Sequence, residues 1–381
     1  MPGLSSAEPG LRDRHLLALP DDVGPEEVET LAASRFPSTR WEQARAAEAP
    51  APRRGIVRPV TAAFGIRAVA PAGPPPGVGV LRLSRHTTLT GPYTVSAEEA
   101  AGLGLPSSTA VAYDVACTRE RGERPYPGGD RDGLKRAFPD GMPVREEERV
   151  LLWLVAAARR LGGAVRTGER GTVLVPDVDS AVNLTVWADH WIEPHELLAV
   201  VQRVAHRARP ADGGSAWQGP MAGAGRLGAH VPEGLPEPGG AGLRAALDAG
   251  GVRDEHKRRR LHAEADAFDA HMLANPPEAT GFAVVVDLEV DGMVVVEVSE
   301  EEVVPPLLRD LPWTQQGAIA YRVRWEPFLL EELEAERPGL THRVARGRAV
   351  PVVHAITRAV HGAVGGEIAD EAEFLVAPTD L

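Results

Sequence analysis

Ala110-Val-Ala-Tyr113-Asp-Val115 and Ala318-Ile-Ala-Tyr321-Arg-Val323 are two strand-like runs written to one plan. The first leads into an apolar helix pattern, then Leu161-Gly162-Gly163, then a run ending at Pro176-Asp177. The second leads into an apolar helix pattern, then Val364-Gly365-Gly366, then a run ending at Pro378-Thr-Asp380. Each is preceded by a run opening on glycine, Gly77-Val-Gly-Val-Leu81 and Gly281-Phe-Ala-Val-Val-Val286. A shared order of strand, helix, double glycine and strand predicts a duplicated supersecondary unit. Short strands joined by turns and broken by single helices predict the α+β class. The expected architecture is two related modules of mostly antiparallel sheet with helices packed on one face, pseudo-symmetric by internal duplication. A groove between the two sheets is then the default binding site.

Working outward, residues 1–54 read as a polar N-terminal segment. It holds one helix over about 25–47, started by Pro25 and preceded by a mobile tail. Module A spans 55–209, with strand-like runs at 56–70, 78–83 and 109–117 and an exposed loop over 119–143. Its helix over 146–161 is apolar on nearly every side in its first half, so it is buried on more than one face. Strands at 164–167 and 172–176 flank a turn at Gly168-Glu-Arg-Gly171. A strand over 182–188 and a helix over 194–208 close the module. The Gly- and Pro-rich stretch 210–250 is the linker.

Module B spans 251–381 and opens with a helix over 253–274, where Leu261, Ala265, Phe268 and Met272 form one stripe. A hairpin from Phe282 to Val298 follows, turning on the two residues Asp291-Gly292. A strand at 317–325, a helix within 346–362 and a strand at 372–377 complete it.

Composition bounds the function classes. Hydrophobic content of 43% with 25% charged residues is that of a folded globular chain, long enough for two cores. A net charge of −13 argues against nucleic acid and against an anionic membrane surface, since both select for clustered cations. No window is apolar for long enough to read as a membrane span. The single cysteine, Cys117, cannot form an internal disulfide, which fits a cytoplasmic setting.

The densest group of reactive side chains is Trp187-Ala-Asp189-His190-Trp191-Ile-Glu193-Pro-His195-Glu196, at a strand end and helix start. Asp189, His190, His195 and Glu196 are groups that ligate metals or exchange protons, but their spacing is not the His-Glu-x-x-His of one helix face. Trp187 and Trp191 equally suit anchoring the connection to the sheet. His354, Arg358 and His361 share one helix face and could hold a small anion. Lys257-Arg258-Arg259-Arg260 is surrounded by carboxylates and reads as a solvated helix face. Gly223-Ala-Gly225-Arg-Leu-Gly228 spells the dinucleotide-binding string without the strand that must lead into it. Cys117 at a strand end reads as an inert thiol. No residue is assigned to catalysis, to a metal or to a cofactor. The expectation is a non-enzymatic chain that binds a protein partner or assembles with itself. A metal-assisted hydrolase or transferase at 187–196, and a small-anion binder at 354–361, are the alternatives.

Overall fold

His15-Leu-Leu-Ala-Leu19 is buried at all five positions, and this short strand lies inside the first of two sheets. The computed structural model describes residue 4 and residues 14–42, 78–211 and 281–381. The tail expected to be mobile therefore supplies β1 (His15–Leu19). The reason is sidedness. Leu17 and Leu19 face one apolar layer while Leu16 and Ala18 face another, so the strand shows no apolar–polar alternation. Each fully buried leucine contributes about 1.5–3 kcal/mol.

Seven antiparallel strands form the first sheet. Their order is β2 (Arg40–Glu42), β3 (Gly79–Arg82), β4 (Thr88–Thr94), β5 (Val111–Ala116), β1, β6 (Ala164–Arg166) and β7 (Val173–Leu174). Seven more form the second, in the order β9 (Ala208–Pro210), β10 (Gly281–Asp287), β11 (Met293–Glu301), β12 (Ala318–Glu326), β8 (Leu184–Ala188), β13 (Glu367–Asp370) and β14 (Leu375–Val376). In both, the first strand along the chain lies between the fifth and the sixth. Helices enter at matching points. α1 (Pro25–Arg35) follows β1 and α5 (Pro194–Gln202) follows β8, while α4 (Arg145–Arg160) joins β5 to β6 and α6 (Leu340–Val364) joins β12 to β13. The first half also carries α2 (Ala97–Leu103) and the single turn α3 (Leu134–Ala137).

Both double glycines have one cause. Gly162 and Gly365 end their helices in the left-handed region, at φ 65° and 73°. The next glycine then passes the central strand so closely that an added Cβ would meet a backbone oxygen. At Gly163 this is the Ala18 oxygen at 2.4 Å, and at Gly366 the Trp187 oxygen at 1.9 Å.

Several expectations need correction. The strand and helix over 182–208 belong to the second sheet, because β8 pairs with β12 and β13 rather than with any strand of the first. The helix after β8 stops at Gln202, and Ala208–Pro210 pairs as β9 with β10. α1 stops at Arg35 rather than near 47, because Phe36 precedes Pro37 and a residue before proline leaves the helical region. Helices do not keep to one face: Ala100 and Leu103 of α2 pack with Leu16, Ala18 and Ala112 on the far side of the first sheet. The β10–β11 hairpin is present, but pairing ends at Asp287 with Met293, so the turn runs from Leu288 to Gly292. There Gly292 sits at φ 95°, against the Glu326 carbonyl. The run at 56–70, the Gly223–Gly228 string, the 257–260 basic run and the helix expected over 253–274 lie outside the described residues, as does all of the 210–250 linker beyond Ala211.

The halves meet through the β13–β14 turn. Phe374 is 2% exposed and belongs to the first core, among residues such as Phe36, Val28 and Trp153. Around it Arg35 pairs with Glu373, Arg131 with Glu371 at 2.9 Å, and Arg160 approaches Asp370 at 4.0 Å. Arg136 pairs with Glu336 at 2.6 Å. In all four pairs the arginine comes from the first half and the carboxylate from the second. No helix among the described residues is long and apolar enough to cross a membrane.

Candidate functional site

The turn from Trp187 to Glu196 is built by ordinary helix-start chemistry. Pro194 occupies the first helical position of α5, and the Glu193 N–H donates to Glu196 Oε2 at 3.0 Å. Tyr321, on β12, clamps the same turn. Its hydroxyl accepts from the Ile192 N–H at 3.1 Å and donates to the His190 carbonyl at 2.7 Å. Trp191 packs edge-on against Phe282 with ring centroids 5.4 Å apart. Trp187 lies on the other face of the sheet, with Val304, Leu308 and Ala320. Asp189, His190, His195 and Glu196 are exposed. His190, His195 and Glu196 border a shallow hollow of about 360 Å³ with Ile192, Val200 and Arg203.

The first half carries a turn of the same length, from Ala18 to Glu27. Pro25 starts α1, and the Gly24 N–H donates to Glu27 Oε2 at 2.7 Å. The carboxylate and the proline of the 187–196 group thus recur where no cluster of histidines or tryptophans accompanies them. Both serve the helix start.

His354, Arg358 and His361 lie on α6 and diverge in their contacts. Arg358 donates to the oxygen of Leu381, and His361 Nε2 meets the Gly366 carbonyl at 3.2 Å. Burial, reinforced by Arg358, holds the half-buried His354 below the ordinary histidine pKa.

Among the described residues, His15, Cys117 and Glu147 bring one donor atom each within 4.8 Å of the others. Sequence reading missed this group because its members come from β1, the end of β5 and the first turn of α4. The hydrogen bonds decide what it is. The Gly168 N–H donates to His15 Nδ1 at 3.0 Å, so the ring proton sits on Nε2, which donates to Glu147 Oε1 at 3.1 Å. The other Glu147 oxygen accepts from the Glu120 N–H at 2.8 Å and from Arg121. A metal on Nε2 needs a proton on Nδ1 instead, and a cation beside Glu147 meets the Arg121 guanidinium. Burial alone would raise the Glu147 carboxyl, but the bonds from His15, Glu120 and Arg121 hold it below the usual range. Burial, with Glu147 adding to it, pushes the Cys117 thiol up to about 12. A thiol so placed is protonated at neutral pH and a poor nucleophile. The group is a bonded polar knot joining β1, α4, the 117–122 segment and the β6–β7 turn.

A cleft of about 700 Å³ lies at the junction of the halves, with no strand of the second sheet lining it, so it is not the groove expected between the sheets. Arg136, Val173 and Val175 line it from the first half, Glu336 and Arg337 from the second. The Arg136–Glu336 pair, with contacts of 2.6 and 3.1 Å, spans it.

One end of the second half is different in kind. There the β10–β11 turn, the segment after β12 and the first turns of α6 come together. α6 packs on the turn at 289–291, Arg348 reaches Asp291 at 3.4 Å, and Gly292 abuts Pro327. Large apolar side chains face outward along this end: Val290 77%, Phe328 68%, Leu329 55%, Leu340 69% and Val344 44% exposed. Scattered apolar residues are normal on a surface, but a gathered group marks a contact surface. Beneath it His342 is buried beside Trp325, with its Nδ1 lacking a hydrogen-bond partner among the described residues.

Burial, then Arg346, depresses the His342 pKa below its ordinary 6.5. The fold therefore favours the neutral ring. This contribution to stability is complete above the unfolded value and is lost as pH falls through the folded one. Urea midpoints should drop between pH 7 and pH 5, and His342→Phe should flatten that drop. An unchanged slope in the variant would show that His342 carries none of it.

Compared with protein-family models, with curated proteins and with solved structures, the chain matches none.

Proposed function

We propose that the chain is a non-enzymatic, protein-binding or self-assembling protein, made by internal duplication of one α+β unit and working in the cytoplasm. Support for the duplication comes from the common strand order, the equal β–α turns and the paired glycine contacts with the central strands. Support for binding comes from one observation: the outward-facing Val290, Phe328, Leu329, Leu340 and Val344 at one end of the second half. Desolvating such a group on a partner gives a favourable free energy in proportion to its apolar area. The acidic net charge of −13 favours a protein over a polyanion as that partner. The hydrolase alternative is weakened because Glu196 caps α5, Trp191 packs on Phe282 and Trp187 is buried on the opposite face of the sheet.

Site-specific photo-crosslinking in the native host tests this reading. A photoreactive phenylalanine at position 328 or 340 should capture protein, and the same group at the equally exposed Tyr126 should not. Adducts no stronger at 328 and 340 than at 126 would defeat it.

A further inference from the structure

We infer that His342 is a pH-sensitive latch, and that mild acid makes it release the first turns of α6 from the segment joining the two halves. The latch needs no partner and stands apart from the protein-binding reading.

That segment, residues 175–183, runs from β7 to β8 and is pinned from both sides. From the first half, Arg131 donates to the Ser180 carbonyl at 2.7 Å. From the second, Arg346 of α6 donates to Asp177 Oδ2 at 2.8 Å. Arg346 is buried, and Asp177 in turn accepts from the Asp179 N–H at 3.0 Å. Asn183 ties the end of the segment to β12, accepting from the Trp325 N–H at 2.9 Å.

His342 sits one helical turn before Arg346, on the same face of α6. Its ring is buried, 5.0 Å from the Trp325 ring between centroids, and its Nδ1 has no hydrogen-bond partner among the described residues. The charged groups that act on it are Arg346 on its own helix, Glu332 from the segment after β12 and Asp177 from the joint. Both carboxylates are already engaged, Glu332 by the Gly339 N–H at 2.7 Å and Asp177 by Arg346. A proton added to the ring therefore makes a buried cation beside a guanidinium, which the folded arrangement resists. An opened α6 start places the same cation in water. Burial opposes ionisation of Asp177, but its bonds from Arg346 and Asp179 hold its carboxyl below the usual range, so it stays charged while His342 titrates. The neutral ring is favoured in the closed form, so falling pH shifts the population towards the open one.

The start of α6 is weakly held. Gly339 provides no side-chain cap, and Gly347 stands in the helix with open space where a Cβ would be. Pro351 lacks the N–H that would bond the Gly347 carbonyl. The turns ahead of this weak point carry both His342 and Arg346, so lifting them frees Asp177. They also carry the exposed Leu340 and Val344, so acid reshapes the apolar end as well.

Amide exchange of the chain at pH 7 and pH 5, corrected for the intrinsic chemical rate at each pH, tests the latch. Amides of 344–349 and 179–183 should lose protection at pH 5, by at most about tenfold per pH unit for a single proton. Those of 353–360 and of β1 should keep theirs. His342→Gln, whose side chain takes up no proton in this range, should hold 344–349 protected at pH 5. Asp177→Asn should leave 179–183 exchanging fast already at pH 7, with acid adding nothing there. The latch is overturned if either segment of the wild type keeps its protection at pH 5, or if β1 loses as much as they do. An acid response in His342→Gln equal to that of the wild type overturns it too.

Discussion

Replacing Phe374 by alanine should destabilise the protein by about 3–5 kcal/mol, the range for emptying a buried aromatic site. The expected loss appears in the half that does not contain the residue. Phe374 belongs by sequence to the β13–β14 turn of the second sheet, yet its ring is buried with Phe36 and Trp153 in the first core. The variant leaves a cavity among Val28, Phe36 and Trp153 and removes an apolar link between the halves. Calorimetry should show one unfolding transition splitting into two, the first half melting earlier. Amide exchange should quicken in α1 and α4 before it does in α6. Neutralising a neighbouring pair is a contrasting control: Glu371→Gln removes a partly exposed contact with Arg131 and should change stability by only about 0–1 kcal/mol. If Phe374→Ala melts with the wild type, the ring does not couple the halves.

Glu147→Ala should be comparably severe, about 3–5 kcal/mol, because it strands the partners of a buried charge. Glu147 is fully buried, and its removal leaves the His15 Nε2–H and the Glu120 N–H without their acceptor and takes one of two carboxylate partners from Arg121. The effect depends on pH with a definite sign. The folded carboxyl is held below its ordinary 4.5, so its ionised form stabilises the native state above that value. The contribution is lost as pH falls through the folded pKa, and the gap between wild type and Glu147→Gln should close in acid. Urea melts at neutral pH and through a series of pH values falling below 4.5 measure it. Cys117 offers a second readout, since its thiol, pushed up to about 12, reacts slowly while the knot is intact. Native alkylation should accelerate in Glu147→Ala. A variant with wild-type midpoints and wild-type labelling would mean that the knot is dispensable.

What the sequence made legible were local patterns repeated at a distance. The two tyrosine-bearing strands, the double glycines, α4 and the β10–β11 hairpin all follow from periodicity and turn residues within a short window. Sheet membership does not. Nothing in Leu184-Thr-Val-Trp-Ala188 says that it pairs with Ile319–Val323 rather than with the neighbouring β7, since the choice is made by tertiary packing. β1 escaped for a related reason: a central strand covered on both faces loses the alternation that marks a half-buried one. Of the candidate sites, the 187–196 cluster was visible as a sequence but its tie to Tyr321 was not. His15, Cys117 and Glu147 come from three separate elements, so no spacing rule could assemble them. Phe328-Leu329-Leu330 drew no reading from the sequence, because only the fold reveals that this apolar run after Pro327 is left exposed.

The Phe374 plug also bears on the order in which the chain can consolidate during synthesis. β1 leaves the ribosome early, but it must wait for β5 and β6 to flank it, a long-range closure that slows folding. Even then the first core lacks an aromatic ring carried by residue 374. Until that residue emerges, the first half has an open apolar socket under α1 and α4, the kind of transient surface on which chaperones act. Its maturation thus waits on residue 374, although all seven of its own strands are made first.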